Sequence, residues 1–347
     1  MIRRTNAQQR IDAYIKGFIR RHNKPKKEKK KRYPRDESLY NIGQENEFPL
    51  FLGWMPLAAM HVAFKYDRYG GIGRPPYYSL YDILVCLSIQ RYFHLSLRRS
   101  MGVIRFVVNS AKLYVKVPSF KMLNIYMNDS SMKRYLDEVI EFTSKPTRLI
   151  EEFFATDSTG VATLCFTMWF MLRMKRRVRK RDHITAHVTT GTRTNIVTAV
   201  DVDCKKGKDG FYFRKHVDRT VKNFNPKEWS GDSKYASRLN CNKCDENGIK
   251  PFFKLKDNVT PRAKGSPAWK RMVNESRNDP DEYGKHYHRR SNVESTNSRK
   301  SRKFDGFVRA RNDTAKENEE MFGWVCYNFS ALARAYYQYR DMLVFNW

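Results

Sequence analysis

Phe153-Phe-Ala-Thr156, running into Asp157, reads as a short buried strand, and two alternating stretches follow it: His183-Ile-Thr-Ala-His-Val-Thr189 and Asn195-Ile-Val-Thr-Ala-Val-Asp-Val202. Alternation of apolar and polar residues turns one face of a strand toward a core, and Gly191-Thr192 between the two stretches closes them into a hairpin. Downstream, Tyr212–Phe224 has helical character, and Glu228-Trp-Ser-Gly-Asp232 reads as a strand ending in an acid. A short helix near Ala236–Asp245 precedes a further strand, Lys250-Pro-Phe-Phe-Lys-Leu-Lys256. After a basic loop come a helix around Glu294 and a last, aromatic-rich helix, Glu317–Tyr339, with spacing suited to packing.

Strand, hairpin, helix, strand, helix, strand, helix is the element order of an RNase H-like domain. The expected fold class is therefore mixed α/β: an RNase H-like catalytic domain over residues 149–347, its mixed sheet flanked by helices and followed by a C-terminal helix. Ahead of it, residues 48–148 read as a helical N-terminal domain, expected to bind DNA. Tyr78–Phe93 keeps an apolar stripe at Leu80, Ile83, Leu84, Leu87 and Tyr92, with Ser79 placed to cap it. Helical pieces at Leu97–Val108 and Phe120–Phe142 flank Lys116-Val-Pro-Ser119. This fits a helix-turn-helix-like module and equally any small helical bundle. Gly70-Gly-Ile-Gly73 is followed by Arg74-Pro-Pro76 where a nucleotide loop would start a helix, so it reads as a linker.

The 347 residues carry 67 Lys and Arg against 36 Asp and Glu, a net charge of +31 spread along the chain. Such an excess suits a polyanion, because cations that neutralise phosphates release condensed counterions. An anionic membrane competes, but the longest apolar candidate, Val161–Leu172, is short and broken by Thr163 and Thr167. Hydrophobic content of 41% and aromatic content of 14% argue for a folded chain. Residues 1–47 form a basic arm: Arg20–Arg35 holds ten Lys and Arg with one acid, Glu28, and reads as a sequence-indifferent DNA contact or as a solvated tail or localisation signal. No signal peptide is evident, and the expected location is cytoplasmic, associated with the nucleoid. Cys241-Asn-Lys-Cys244 is a lone CxxC without a second half at zinc spacing; reduced structural thiols and a zinc site borrowing Cys204 or a histidine are the two readings.

Three acids occupy informative places. Asp157 and Asp232 end strands, and Glu294 is the lone acid among seven Lys and Arg between Lys285 and Lys303. At helical spacing Tyr287, Arg290, Glu294, Asn297, Ser298 and Ser301 share one face. Strand-end carboxylates are hard oxygen donors fixed by a sheet and open to substrate, which suits two Mg²⁺ serving phosphodiester chemistry. Each acid also has a bland reading. Asp-Ser-Thr-Gly and Gly-Asp-Ser are common turn and cap sequences, and Arg290 with Glu294 makes an ordinary surface pair worth a few tenths of a kcal/mol, roughly. Asp201, Asp203 and Asp209 compete as ligands from a hairpin strand and a Lys-Gly-Lys-Asp-Gly loop.

With these residues assembled, the chain resembles a DDE transposase of the insertion-sequence type found in bacteria and archaea. Phe154-Ala-Thr-Asp-Ser-Thr-Gly160 is similar to the family's first-Asp strand, and residues 183–202 to its next two strands. Gly231-Asp-Ser-Lys-Tyr235 with Pro251–Lys256 resembles the second-Asp region. Tyr287-x2-Arg290-x3-Glu294 matches the Tyr-Arg-Glu signature, while the usual Lys seven residues beyond the Glu is Ser301 here, flanked by Lys300 and Arg302. The resemblance implies Asp157, Asp232 and Glu294 as catalytic metal ligands for two Mg²⁺, with Mn²⁺ substituting. It implies strand cleavage at element ends and attack of the freed 3′-hydroxyl on target DNA by a dimer or larger assembly. Tyr287 and Arg290 would position phosphates, with Lys300 or Arg302 standing in for the missing Lys. Trp169 and Trp269 are candidates to stack on an unpaired base, or else to pack. The run Arg173–Arg181, including Arg176, Arg177 and Arg179, is expected along the DNA. An inactive DNA-binding relative and a host nuclease of the same fold are the alternatives.

Overall fold

The long strand β1 (Phe153–Thr163) is the axis of the molecule. In the computed structural model, which describes residues 36–66, 76–163, 183–204 and 209–345, β1 pairs on one side with β2 (His183–Gly191), antiparallel, from Phe154↔Gly191 to Ala162↔His183. β2 in turn pairs antiparallel with β3 (Val197–Asp203). On its other side β1 runs parallel to β4 (Glu228–Gly231), and β4 to β5 (Lys250–Phe253), giving the order β3-β2-β1-β4-β5. A two-residue strand β6 (Phe307–Val308) pairs with the far end of β1. This is the mixed sheet expected of an RNase H-like domain. The basic arm over 1–35, the Gly70–Gly73 linker, Trp169 and the run with Arg176, Arg177 and Arg179 lie outside the described residues.

The helices of the sheet domain are α7 (Asp209–Thr220), α8 (Arg238–Glu246), α9 (Pro267–Asn278), α10 (Pro280–Tyr287), α11 (Ser291–Lys303) and α12 (Asp313–Gln338). Before the sheet come α1 (Glu37–Glu45), α2 (Glu47–Tyr66), α3 (Leu80–Tyr92), α4 (Leu97–Ser110), α5 (Phe120–Met127) and α6 (Met132–Ser144). Ser79 and Asp82 cap α3 reciprocally, as a Ser followed three residues on by an acid allows. The stretch expected as one helix over 120–142 is two. It breaks at Asn128–Ser131, where Asp129 Oδ1 accepts from the Ser131 backbone N at 2.8 Å and from its hydroxyl at 2.7 Å, an alternative that competes with helical bonding.

Every residue of β3 is buried, because α6, α7 and α12 cover it, so its alternating pattern carries polar residues such as Asp201 inward. α12 is buried on nearly all faces from Met321 to Ala335 and joins the helical bundle to the sheet: Phe51, Leu84, Ile140, Val200, Trp324 and Phe329 belong to one continuous core. Each such side chain contributes about 1.5–3 kcal/mol by leaving water. A second core, with Phe154, Phe213, Trp229, Phe253 and Trp269, lies on the β4–β5 side. α2 is long and apolar enough to cross a membrane by length and composition, a stretch the sequence reading passes over. Here its Phe51, Met55, Ala58, Ala59 and Val62 face the core, and Glu47 pairs with Lys303.

Candidate active site

Asp157 does not end its strand. β1 continues to Thr163, but its parallel partner β4 stops at Gly231, opposite Thr156. Asp157 and Asp232 are thus the residues that follow the last β1–β4 pair. Gly231 is needed at that stop: a Cβ there would lie 3.1 Å from the Tyr235 ring and 3.2 Å from Phe253. Glu294 arrives from the other direction, on the first turn of α11, which packs on β1 and β2 and has Val293, Thr296, Asn297 and Lys300 buried. Its approach is set by a 3-10 turn, His288–Arg290, tied to β4: Glu228 accepts from Arg289 and contacts His286 Nδ1 at 2.8 Å, while Arg289 stacks 3.9 Å over Phe153.

One guanidinium connects the acids. Arg290 Nη2 donates to Glu294 Oε1 at 2.5 Å, and Nη1 lies 3.9 Å from Asp157 Oδ2. Tyr287, 5.9 Å from Arg290, leans against that guanidinium. The Asp157 carboxyl sits above the usual carboxylate range, chiefly because it is buried; Glu294 and Asp232 push it further, against the Ser158 backbone N–H and Arg290. The surface pair of the bland reading therefore exists, and it exists beside the other two acids.

The donors are carboxylate oxygens, the type Mg²⁺ takes, and a half-buried carboxylate with two like charges nearby is short of positive charge, so these residues fit a divalent cation. As placed, no group of three or more His, Cys, Asp or Glu is gathered closely enough to hold an ion among the described residues. Arg290 takes up the positive role between Asp157 and Glu294, bonding one of the two Glu294 oxygens.

Several expectations are corrected. Lys300 is not available to DNA: its ammonium is buried, paired with Glu320 and set 5.4 Å over Trp324. Asn297 leaves the polar stripe for the buried face, because the sheet and not polarity chooses which side of α11 is covered. Arg302, Ser298 and Ser301 remain exposed, so Arg302 is the flanking cation left for a phosphate. Trp269 packs in the second core, its Nε1 donating to the Thr260 carbonyl at 3.0 Å under Arg238, and offers no stacking platform. Cys241 and Cys244 are both buried in the same core, with burial pushing the Cys241 thiol up to about 12; this is the packing reading.

Asp201 is a structural acid. Fully buried, it holds its charge far below the ordinary range despite burial, through His216, Arg219 and Lys133, with Lys215 2.8 Å away. It ends a buried chain of hydrogen bonds. Trp229 Nε1, which can only donate, gives to Thr156 Oγ1 at 2.8 Å; Thr156 and Thr189 hydroxyls meet at 2.7 Å; Thr189 meets His216 Nδ1 at 3.0 Å; His216 Nε2 meets Asp201 at 3.2 Å. The donor at one end and the acceptor at the other set the direction, so His216 is neutral with its proton on Nε2. Burial lowers its pKa to about 4, in agreement.

Asp209, another of the competing acids, lies close to Asp157. It opens α7 beside Ser158, the residue after Asp157, and its Oδ1 lies 3.1 Å from His187 Nδ1, which stacks on Tyr212 at 4.1 Å. His187 holds it below the usual carboxylate range. The signal in the sequence was its glycine neighbour, Gly210, which starts a helix; the pairing with His187 was invisible until Ser158↔His187 register fixed it. Asp203 accepts from the Tyr212 hydroxyl at 3.0 Å.

Residues 150–329, more than half of the chain, match the family described as transposase DDE domain. No curated protein matches the chain.

Proposed function

The chain belongs to the transposase DDE domain family, and from that premise we propose that it cuts DNA strands at the ends of a mobile element and joins the freed 3′-hydroxyl to target DNA. What supports this reading above all is Arg290 standing between Glu294 and Asp157, with Glu294 and Asp232 both raising the Asp157 carboxyl. Asp157, Asp232 and Glu294 would hold two Mg²⁺, or Mn²⁺ in their stead. When bound, such ions polarise the phosphodiester and lower the pKa of the attacking oxygen's proton.

The remaining work falls to the chain. Three carboxylates alone would repel a phosphodiester, so Arg290 and Tyr287 orient its oxygens, Arg290 by a planar fork that suits phosphate. Arg302 and the run with Arg176, Arg177 and Arg179 hold flanking backbone. In the first step a water oxygen bonds to phosphorus and the bond to the 3′-oxygen breaks, leaving a 3′-hydroxyl. In the second that hydroxyl bonds to a target phosphorus and displaces another 3′-oxygen. In this second step one ester forms for the one that breaks, so joining needs no outside energy source and no covalent protein–DNA intermediate. Paired ends call for a dimer or a larger assembly.

The test replaces Asp157, Asp232 or Glu294 by Ala and follows cleavage of a labelled end with Mg²⁺ or Mn²⁺. Lost cutting with retained DNA binding supports the reading; cutting that survives all three replacements ends it. A second reading, a relative that binds DNA without cutting, draws on Arg290 holding Glu294 and on the burial of Lys300. Wild-type protein that binds ends yet never nicks them with either metal would favour it.

A further inference from the structure

Behind the catalytic helix lies a cavity of about 460 Å³ between α1, the second half of α11 and the last turns of α12. Its walls include Gln44, Arg299, Arg302, Lys303, Ser330 and Arg334. Only one of these cations meets an acid among the described residues: Lys303 pairs with Glu47, whose carboxylate also accepts from the Ser330 hydroxyl at 2.6 Å. Arg334 is nine-tenths buried, and its one described hydrogen bond is from Nε to the Ser330 carbonyl, at 3.4 Å. Arg302 Nε gives to the Ser298 carbonyl, and Gln44 Nε2 is buried with no acceptor.

A guanidinium keeps its proton under all ordinary conditions, so it cannot escape burial by neutralising. An ion left in the interior without a counter-charge is costly. Burial lowers the Arg299 pKa, and Arg334, which faces the same space, lowers it further by repulsion, against a contact with the Tyr327 hydroxyl. Among the described residues the cavity gathers three guanidinium groups, a spare amide N–H and no free carboxylate, a lining suited to an anion from outside.

We propose that this cavity binds one phosphate group, held by Arg299 and Arg334 with Gln44 Nε2 as a further donor. Two sources share that chemistry, a backbone phosphate of DNA and a small phosphate compound. The helix favours the first: Arg299 to Lys303 lie roughly 8–14 Å along α11 from Glu294, at 1.5 Å per residue. That separation matches a strand entering the site and touching down again a few nucleotides away, at 3.4 Å per nucleotide of one strand, roughly. The phosphate chemistry stands on the cavity alone; the DNA source rests on the function proposed above.

The full chain is tested with a metal chelator present, so that cutting plays no part. First, thermal midpoints are compared in inorganic phosphate and in chloride at equal ionic strength. Phosphate is expected to raise the wild-type midpoint and to lose that effect in Arg334→Gln and in Arg299→Gln. Second, duplex affinity is followed against salt. A DNA phosphate in the cavity lowers the slope of log affinity against log salt by about one in either variant. A phosphate effect with an unchanged slope assigns the cavity to a small phosphate compound. An absent phosphate effect together with an unchanged slope overturns the proposal. Arg299→Gln, on the more exposed wall, gives the same reading if Arg334→Gln does not fold. Failure here leaves the cleavage test of Asp157→Ala unaffected, since neither arm involves metal.

Discussion

Arg290 donates to Glu294 at 2.5 Å while its other terminal nitrogen stands 3.9 Å from Asp157, so the acid that sequence placed alone on a basic helix shares its counter-charge with the central strand. The pair is the ordinary surface contact, and the proposed function gives the same guanidinium a second role at the phosphate.

Arg290→Gln separates those roles. Losing a donor aimed at a reacting phosphate costs about a hundredfold in rate where such donors act at the transition state. Single-turnover cleavage of a labelled end should fall by that order with duplex binding nearly unchanged. An unaltered cleavage rate would reduce Arg290 to a surface contact.

The buried pair of Lys300 with Glu320 is a matter of folding, not of DNA. Removing one partner strands the other charge inside, at a cost of about 3–5 kcal/mol. Lys300→Met and Glu320→Leu are each expected to lose that much in urea unfolding, and the double replacement to recover most of it. Duplex affinity of a folded double variant should match wild type, since the ammonium never reaches solvent.

Two buried groups titrate with opposite consequences. Asp157 has its carboxyl raised from 3.8, chiefly by burial, so its ionised form costs the fold more than the unfolded chain. Below pH 3.8 the penalty is absent; as pH rises through the raised value it sets in, and Asp157→Asn is expected to melt above wild type at neutral pH and level with it in acid. His216 is lowered from 6.5 to about 4, so its contribution is whole above pH 6.5 and is lost as pH falls toward 4. Melting curves of wild type should drop between those values, and His216→Gln should flatten the drop by removing the group that titrates.

The sheet was legible because β2 and β3 alternate and because Gly191 and Asp232 mark where strands stop. The length of β1 was not, since Val161 earns its place by pairing with Ile184 across a long separation in sequence. Asp232 just past a strand and Glu294 on a basic helix were legible in the sequence, whereas Asp157 lies within β1 and not at its end. The fate of Lys300 and Asn297 was not: both are polar, and only the docking of α11 on the sheet and on α12 says which side of the helix is covered. Arg334 gave no signal at all, a single cation in an aromatic helix whose surroundings come from α1 and α11.

α11 is gripped at both ends by different parts of the chain. Its start leans on the sheet through the Arg289–Glu228 contact, and its finish is pinned by Lys303 to Glu47 of α2 and by Lys300 to Glu320 of α12. A helix of this length behaves as a stiff rod, so a tilt imposed at the far end is delivered to Glu294 as a change of aim. The residues that steer the third acid thus include Glu47, which lies 247 positions earlier in the chain and touches no part of the site. Force applied to the helical bundle, as when bound DNA is bent against it, would reach the reacting phosphate along this strut.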